Sequence, residues 1–135
     1  MNDAPMNVAK ECAVLSAAGK IHFGEVVNRL NAAGVERYHA DYSRSETTYY
    51  TPDGGSCVMP MNHEPTSIAQ DFSASEIEAA VRQAQRGEIT YPQFTRQVLA
   101  AGCVGYFVQI SGKCVQYFGR NGEIHIEWFP GSKRT

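Results

Sequence analysis

Two spacings of apolar side chains alternate along this chain. Phe23, Val26, Val27 and Leu30 follow the i, i+3, i+4, i+7 stripe of an amphipathic helix, and Tyr91, Phe94 and Val98 repeat most of it. Ala32-Ala33-Gly34 and Ala100-Ala101-Gly102 come next, each glycine standing where the residue past a helix end turns left-handed at least cost. Beyond each glycine the period drops to two, the spacing of strands with one covered face. Further helices are predicted over residues 5–18, through Val8, Cys12 and Leu15 with Pro5 in the first turn, and over 74–86, through Ile77, Ala80, Val81 and Ala84. Ser73 with Glu76, or Ser75 with Glu78, has the spacing of a capping box.

The change of period occurs twice because the sequence does. Residues 19–54 align without a gap on residues 87–122, with identities at Gly19/Gly87, Ile21/Ile89, Ala32/Ala100, Ala33/Ala101, Gly34/Gly102, Tyr38/Tyr106, Ser43/Ser111, Tyr49/Tyr117 and Gly54/Gly122. Matches at one constant offset of 68 positions mark a single supersecondary unit used twice. The predicted fold is therefore α+β: two tandem α-α-β-β-β repeats, about residues 1–60 and 70–130, related by pseudo-twofold symmetry. The connector over 61–71 has no periodicity and contains Asn62, His63 and Pro65. Joining the two antiparallel meanders edge to edge gives a sheet of about six strands with helices on one face, and residues 1–135 then form a single domain. The polar end from Pro130 to Thr135 is expected to fray.

Two-residue turns at Ser43-Arg44, Asp53-Gly54, Ser111-Gly112 and Asn121-Gly122 set the strand register by counting. Tyr38 then faces Tyr49, Tyr106 faces Tyr117, and Val108 faces Val115. The same count sets Tyr49 opposite Val58, Tyr117 opposite Ile126 and Val115 opposite Trp128. This tyrosine side is read as the core.

The alternate positions form a second wall: Arg37, His39, Asp41, Glu46, Thr48, Tyr50, Cys57 and Met59 from one copy, and Phe107, Gln109, Cys114, Gln116, Phe118, His125, Glu127 and Phe129 from the other. Tyr50, Cys57, Met59, Phe107, Phe118, His125 and Phe129 are its candidate binding residues, because mixed aromatic and polar walls often mark interfaces or ligand grooves. Three alternatives stand side by side: a second chain, the connector or the tail covers the wall; a ligand binds it; or the two faces are the reverse of this assignment.

Within that wall His39, Asp41 and Glu46 are the candidate metal ligands. Spacing i, i+2 sets His39 and Asp41 on one face, and the hairpin sets Glu46 opposite Asp41. Two facing carboxylates need a cation, which a metal held by one imidazole and two carboxylates would supply, as would Arg37 or Arg44. His125-x-Glu127 has the same local spacing. Cys57, placed opposite Tyr50, lies two strands from His39, roughly 9–10 Å, too far for a thiolate–imidazole pair. His63 reaches Cys57 only if the connector folds back, and His22 faces solvent near the start of its helix.

Composition narrows the classes. The chain of 135 residues is 43% hydrophobic and 19% charged, ordinary for a globular protein, with a net charge of −2. Residues 1–68 carry 5 basic and 8 acidic side chains, and 69–135 carry 7 and 6, so no basic stripe forms for nucleic acid. No apolar run reaches the roughly 18 residues of a membrane span, and no signal-like start is seen, so a cytoplasmic location is expected. Cys12, Cys57, Cys103 and Cys114 lack C-x-x-C spacing and are expected as free thiols, with Cys114 facing Gln109. No phosphate-binding loop, dinucleotide fingerprint, serine elbow or zinc helix motif is present, and no cofactor is expected.

The segments Gly19-Lys20-Ile21-His22-Phe23, Ala32-Ala33-Gly34-Val35 with Tyr38, and Thr48-Tyr49-Tyr50-Thr51-Pro52-Asp53-Gly54 together resemble a family of short enterobacterial and prophage-borne proteins of unknown function, often labelled phage envelope protein. The resemblance covers nearly the full chain and implies no established activity, cofactor or catalytic residue. The expected function is a non-enzymatic binding or interaction module acting through the open sheet face on a protein or small-molecule ligand, or on a second copy as a homodimer. Its rival is a small enzyme or metal protein centred on His39, Asp41 and Glu46, with Cys57 nearby.

Overall fold

A computed structural model of the chain describes residues 3–61 and 67–132. Asn62, His63 and Pro65 of the connector, and the last three residues of the tail, lie outside the described residues. The elements are α1 (Asp3–Ala17), α2 (Phe23–Ala32), β1 (Arg37–Asp41), β2 (Glu46–Tyr50), β3 (Ser56–Pro60), α3 (Ala74–Gln85), α4 (Tyr91–Ala100), β4 (Gly105–Gln109), β5 (Cys114–Phe118) and β6 (Ile124–Trp128). The strands form one antiparallel open sheet in the order β3-β2-β1-β4-β5-β6. The two meanders thus meet at a central β1–β4 seam, where Arg37 pairs with Gln109, His39 with Phe107 and Asp41 with Gly105.

The two helices of the second half are each started by a side-chain cap. Ser73 caps α3 by accepting from the Glu76 N–H, while its own N–H donates to the Ala101 carbonyl. The reciprocal capping box stands on α4 instead, between Thr90 and Gln93. Leu30, Ile77, Val98 and Leu99 from the helices pack in one buried cluster with Tyr38, Tyr49, Tyr106, Tyr117, Val108 and Val115 from the sheet. Tyr38 pairs with Tyr49 and Tyr106 with Tyr117, their ring centroids 5.4 and 5.5 Å apart. A Tyr91–Tyr106 hydroxyl contact of 2.8 Å ties α4 to the sheet.

The register of four strands follows the turn counting, and that of two does not. Residues 42–45 join β1 to β2, and residues 110–113 join β4 to β5, ending in left-handed Ser45 (φ 53°) and Lys113 (φ 61°). These four-residue loops leave the same partners opposite as the expected two-residue turns, because both are centred on the same two residues. The next hairpins enclose odd loops: Thr51 N–H donates to Gly55 O (3.0 Å) and Gly119 N–H to Glu123 O (2.9 Å), with Gly54 (φ 90°) and Gly122 (φ 84°) in the left-handed region. A three-residue loop with a left-handed glycine shifts the pairing by one.

One residue of shift inverts every side chain of β3 and β6. Tyr49 faces Cys57 rather than Val58, Tyr117 faces His125 rather than Ile126, and Val115 faces Glu127 rather than Trp128. Cys57, Met59, His125 and Glu127, expected on the open wall, therefore point to the helix side, where Met59 and Glu127 are buried. Phe129, one residue past β6, goes with them and meets Phe23 of α2 edge-on at 5.9 Å. In exchange Val58, Ile124, Ile126 and Trp128 emerge on the open side and are exposed.

Two measurements check this arrangement. A Cβ at Gly122 meets nothing within 4 Å, whereas one at Gly102 (φ 84°) would lie 2.3 Å from the Asp71 carbonyl oxygen. Gly122→Ala should cost about 1–2 kcal/mol in urea unfolding through backbone strain alone, and Gly102→Ala distinctly more. Burial raises the phenols of Tyr38, Tyr42, Tyr49, Tyr106 and Tyr117 above their ordinary value. Groups whose folded pKa is raised contribute stability that is complete below the unfolded pKa, about 10 for tyrosine, and is lost as pH climbs above it. The urea midpoint should thus fall steeply above about pH 10, a loss that a flat profile would contradict.

Candidate functional site

Strand alternation arranges the open face as three rows that cross all six strands. The first holds Ser56, Tyr50, Arg37, Gln109, Cys114 and Trp128; the second Val58, Thr48, His39, Phe107, Gln116 and Ile126; the third Pro60, Glu46, Asp41, Gly105, Phe118 and Ile124. Of the candidate binding residues, Tyr50, Phe107 and Phe118 stand here, and Cys57, Met59, His125 and Phe129 do not. The β4–β6 half of the wall is mainly apolar. The β1–β2 half carries the ionic groups.

The aromatic side chains of this face hold one another. Phe107 lies under a parallel His39 ring at 4.4 Å and touches Tyr50 and Phe118, each at 6.4 Å. The Arg37 guanidinium lies 4.2 Å from the centre of the Tyr50 ring, a cation–π contact. Gln109 donates to Gln116 at 3.0 Å. Packing of this kind gives a preformed surface, since few of its rings are free to reorient.

The three candidate metal ligands on this wall each make a different contact. Asp41 Oδ1 accepts from the N–H groups of Ser43 and Arg44 and so caps the turn. Glu46 pairs with Arg44 at 2.7 Å, the neutralisation by arginine that the sequence also allowed. His39 is stacked on Phe107. Among the described residues the group whose potential ligand atoms all lie within 4.8 Å of one another is a different one: Glu78, His125 and Glu127.

That second cluster joins α3 to β6 under the sheet. His125 Nε2 lies 2.6 Å from Glu127 Oε2, and Arg82 reaches Glu127 Oε1 at 3.0 Å and Glu78 at 3.8 Å. The Glu127 side chain is 9% exposed, so its oxygens are met by these partners more than by water. The one-residue shift of β6 brought it here. His125-x-Glu127 was visible in the sequence, but the helix partners Glu78 and Arg82, four residues apart on α3, gained meaning only once the face was inverted.

The thiols are placed for packing. Burial raises the pKa of Cys12, Cys57 and Cys103, the last to about 11, which disfavours the thiolate that nucleophilic chemistry needs. Cys57 is on the helix side of the sheet and His39 on the open side, so the two are separated by the sheet itself. His22, at the N-cap of α2, is exposed.

An α+β protein whose antiparallel sheet has one face that none of the described helices covers, and with an ionic cluster beneath one edge strand, is the class these features define. Residues 13–127 match the model of the family described as Protein of unknown function (DUF1398), and the chain belongs to that family. No curated protein matches it. Among the described residues no helix is long and apolar enough to cross a membrane.

The ionic cluster is open to direct measurement. Arg82→Ala removes the guanidinium that pairs with the buried Glu127 carboxylate, leaving it beside His125 and the Glu78 carboxylate, and should cost about 1–3 kcal/mol in urea unfolding. Glu78→Ala, which removes an exposed carboxylate, should cost less than half as much.

Proposed function

We propose that this protein is a binding module that acts through the open face of its sheet. The observation that carries the reading is the clustering of exposed Ile124, Ile126 and Trp128 beside Phe107 and Phe118 on one surface, with Val58 exposed on the far edge strand of the same face. Water-facing sheets are usually covered with Thr, Lys and Glu, and a broad apolar patch on a small protein commonly marks an interface. The same proposal includes two repeats that share one core and are related by a twofold axis. It is supported by the pairing of His39 with Phe107, the residues one sequence offset apart, at the middle of the seam. A cytoplasmic setting with reduced thiols belongs to it as well, as does the prophage-borne origin that the resemblance implies.

The test uses an apolar dye, 8-anilinonaphthalene-1-sulfonate, and the emission of Trp128, the single tryptophan. In dilute protein the dye should bind the native state, and the Phe107→Ser/Phe118→Ser double variant should lose most of that signal while its thermal transition stays cooperative. Equal dye binding by the two proteins would overturn the reading.

A second reading, a metal-binding protein or small metal-dependent enzyme, is favoured by the closeness of Glu78, His125 and Glu127. The group sets one imidazole and two carboxylates close together, a donor set that suits a divalent metal. Metal analysis of protein purified without chelator separates the alternatives. A stoichiometric metal lost in Glu127→Gln supports this cluster, and one lost in Asp41→Ala supports His39, Asp41 and Glu46. Metal-free protein that takes up no added zinc removes both.

A further inference from the structure

Resting on the docking reading above, we infer that the occupant of the open face is a second copy of this chain, stacked sheet against sheet. The first argument is extent. Val58 on β3 and Ile126 on β6 occupy the two edge strands of the same row, five strand spacings or roughly 24 Å apart. A small ligand or a single peptide strand covers one or two strands and leaves one of these residues in water. A partner as broad as the sheet covers both. Six strands of five residues present about 500 Å² in flat projection, and two such faces together bury roughly 1,000 Å², the lower bound of a specific interface.

The second argument is self-complementarity. Let a twofold axis lie in the plane of the interface along the middle row, from Val58 to Ile126. Each middle-row residue then meets its own copy, and the outer rows exchange. The apolar half lies on the apolar half, with Trp128 over Ile124 of the other copy and Ile126 over Ile126. Arg37 in the first row comes over Asp41 in the third, and this contact occurs twice. A twofold axis running along the strands instead would lay apolar β6 over polar β3-side positions such as Ser56, and the charge pairs would not form. The strands of the two sheets are aligned in the favoured arrangement, within roughly 30°. That angle displaces positions on the central strands β1 and β4 by little, so the Arg37–Asp41 contact survives it.

Sedimentation equilibrium and a thiol cross-link test the inference. The wild-type chain should dimerise reversibly, and Arg37→Glu should raise the dissociation constant by about tenfold or more, as loss of a repeated charge pair requires. Asp41→Asn keeps the oxygen that caps the turn and removes the charge, and should weaken the dimer in the same direction. His39→Cys, on the axis, should link two chains under mild oxidation, while Val14→Cys, exposed on α1, should not. A chain that stays monomeric to about 100 μM, well above the affinity range of specific complexes, overturns the inference. So does a dimer indifferent to both charge variants. If the dye still binds the monomer and is lost in the phenylalanine double variant, the docking face stands with a different partner; if it is not, both ideas fall.

Discussion

The phenol layer between sheet and helices is the constraint on which everything else rests. Tyr38, Tyr49, Tyr106 and Tyr117 all point the same way from the four inner strands and are buried in one cluster with Leu30, Val98 and Leu99. Each cross-strand pair contributes about 0.5–1.5 kcal/mol beyond its buried area. More important, four large rings on one face leave no choice about which side of the sheet the helices cover. None of the described helices covers the opposite side, where Val58, Ile124, Ile126 and Trp128 are exposed.

How much of this was legible depended on loop parity. The helix stripes, the six-stranded sheet and the tyrosine pairs could be read from spacing, because the loops between β1 and β2 and between β4 and β5 are centred on the same two residues as the expected turns and so leave the same residues opposed. The outer strands were read with a two-residue turn at Asp53-Gly54 and Asn121-Gly122, where the chain makes a three-residue turn with its glycine left-handed. Asn-Gly and Asp-Gly satisfy both turn types, so local composition does not decide between them. What does is the burial of whole side chains. Met59 fits the core, but so does Ile126, and β6 turns Ile124, Ile126 and Trp128 outward while His125 and Glu127 face the helices, the reverse of what apolar alternation alone suggests.

That ambiguity is concentrated at the functional surface. Cys57, His125 and Glu127 looked like components of an open wall, and in the fold they lie on the opposite face, next to helices. Glu127 shows why the inversion is tolerated: a carboxylate turned inward on an edge strand is held by Arg82 of α3 and by His125 beside it. An inward charge at a sheet border is also a recognised safeguard against unwanted strand pairing. The ionic cluster therefore has a structural role whatever else it does, and the bare face owes its exposed Ile124, Ile126 and Trp128 to the same half-turn of the strand.

The β1–β4 seam has a kinetic meaning. Within each half, consecutive strands are joined by short loops, so a meander can zip up soon after its first turn forms. The seam instead brings together His39 and Phe107, on either side of a helical pair and a long connection. Closing so large a loop demands more chain entropy than any hairpin here, although the cost grows only with the logarithm of length. Contacts so distant in sequence slow the search for the native state. The halves are thus expected to behave as two quickly formed subassemblies whose docking along one ladder completes folding, and separation along that ladder is the natural first step of unfolding.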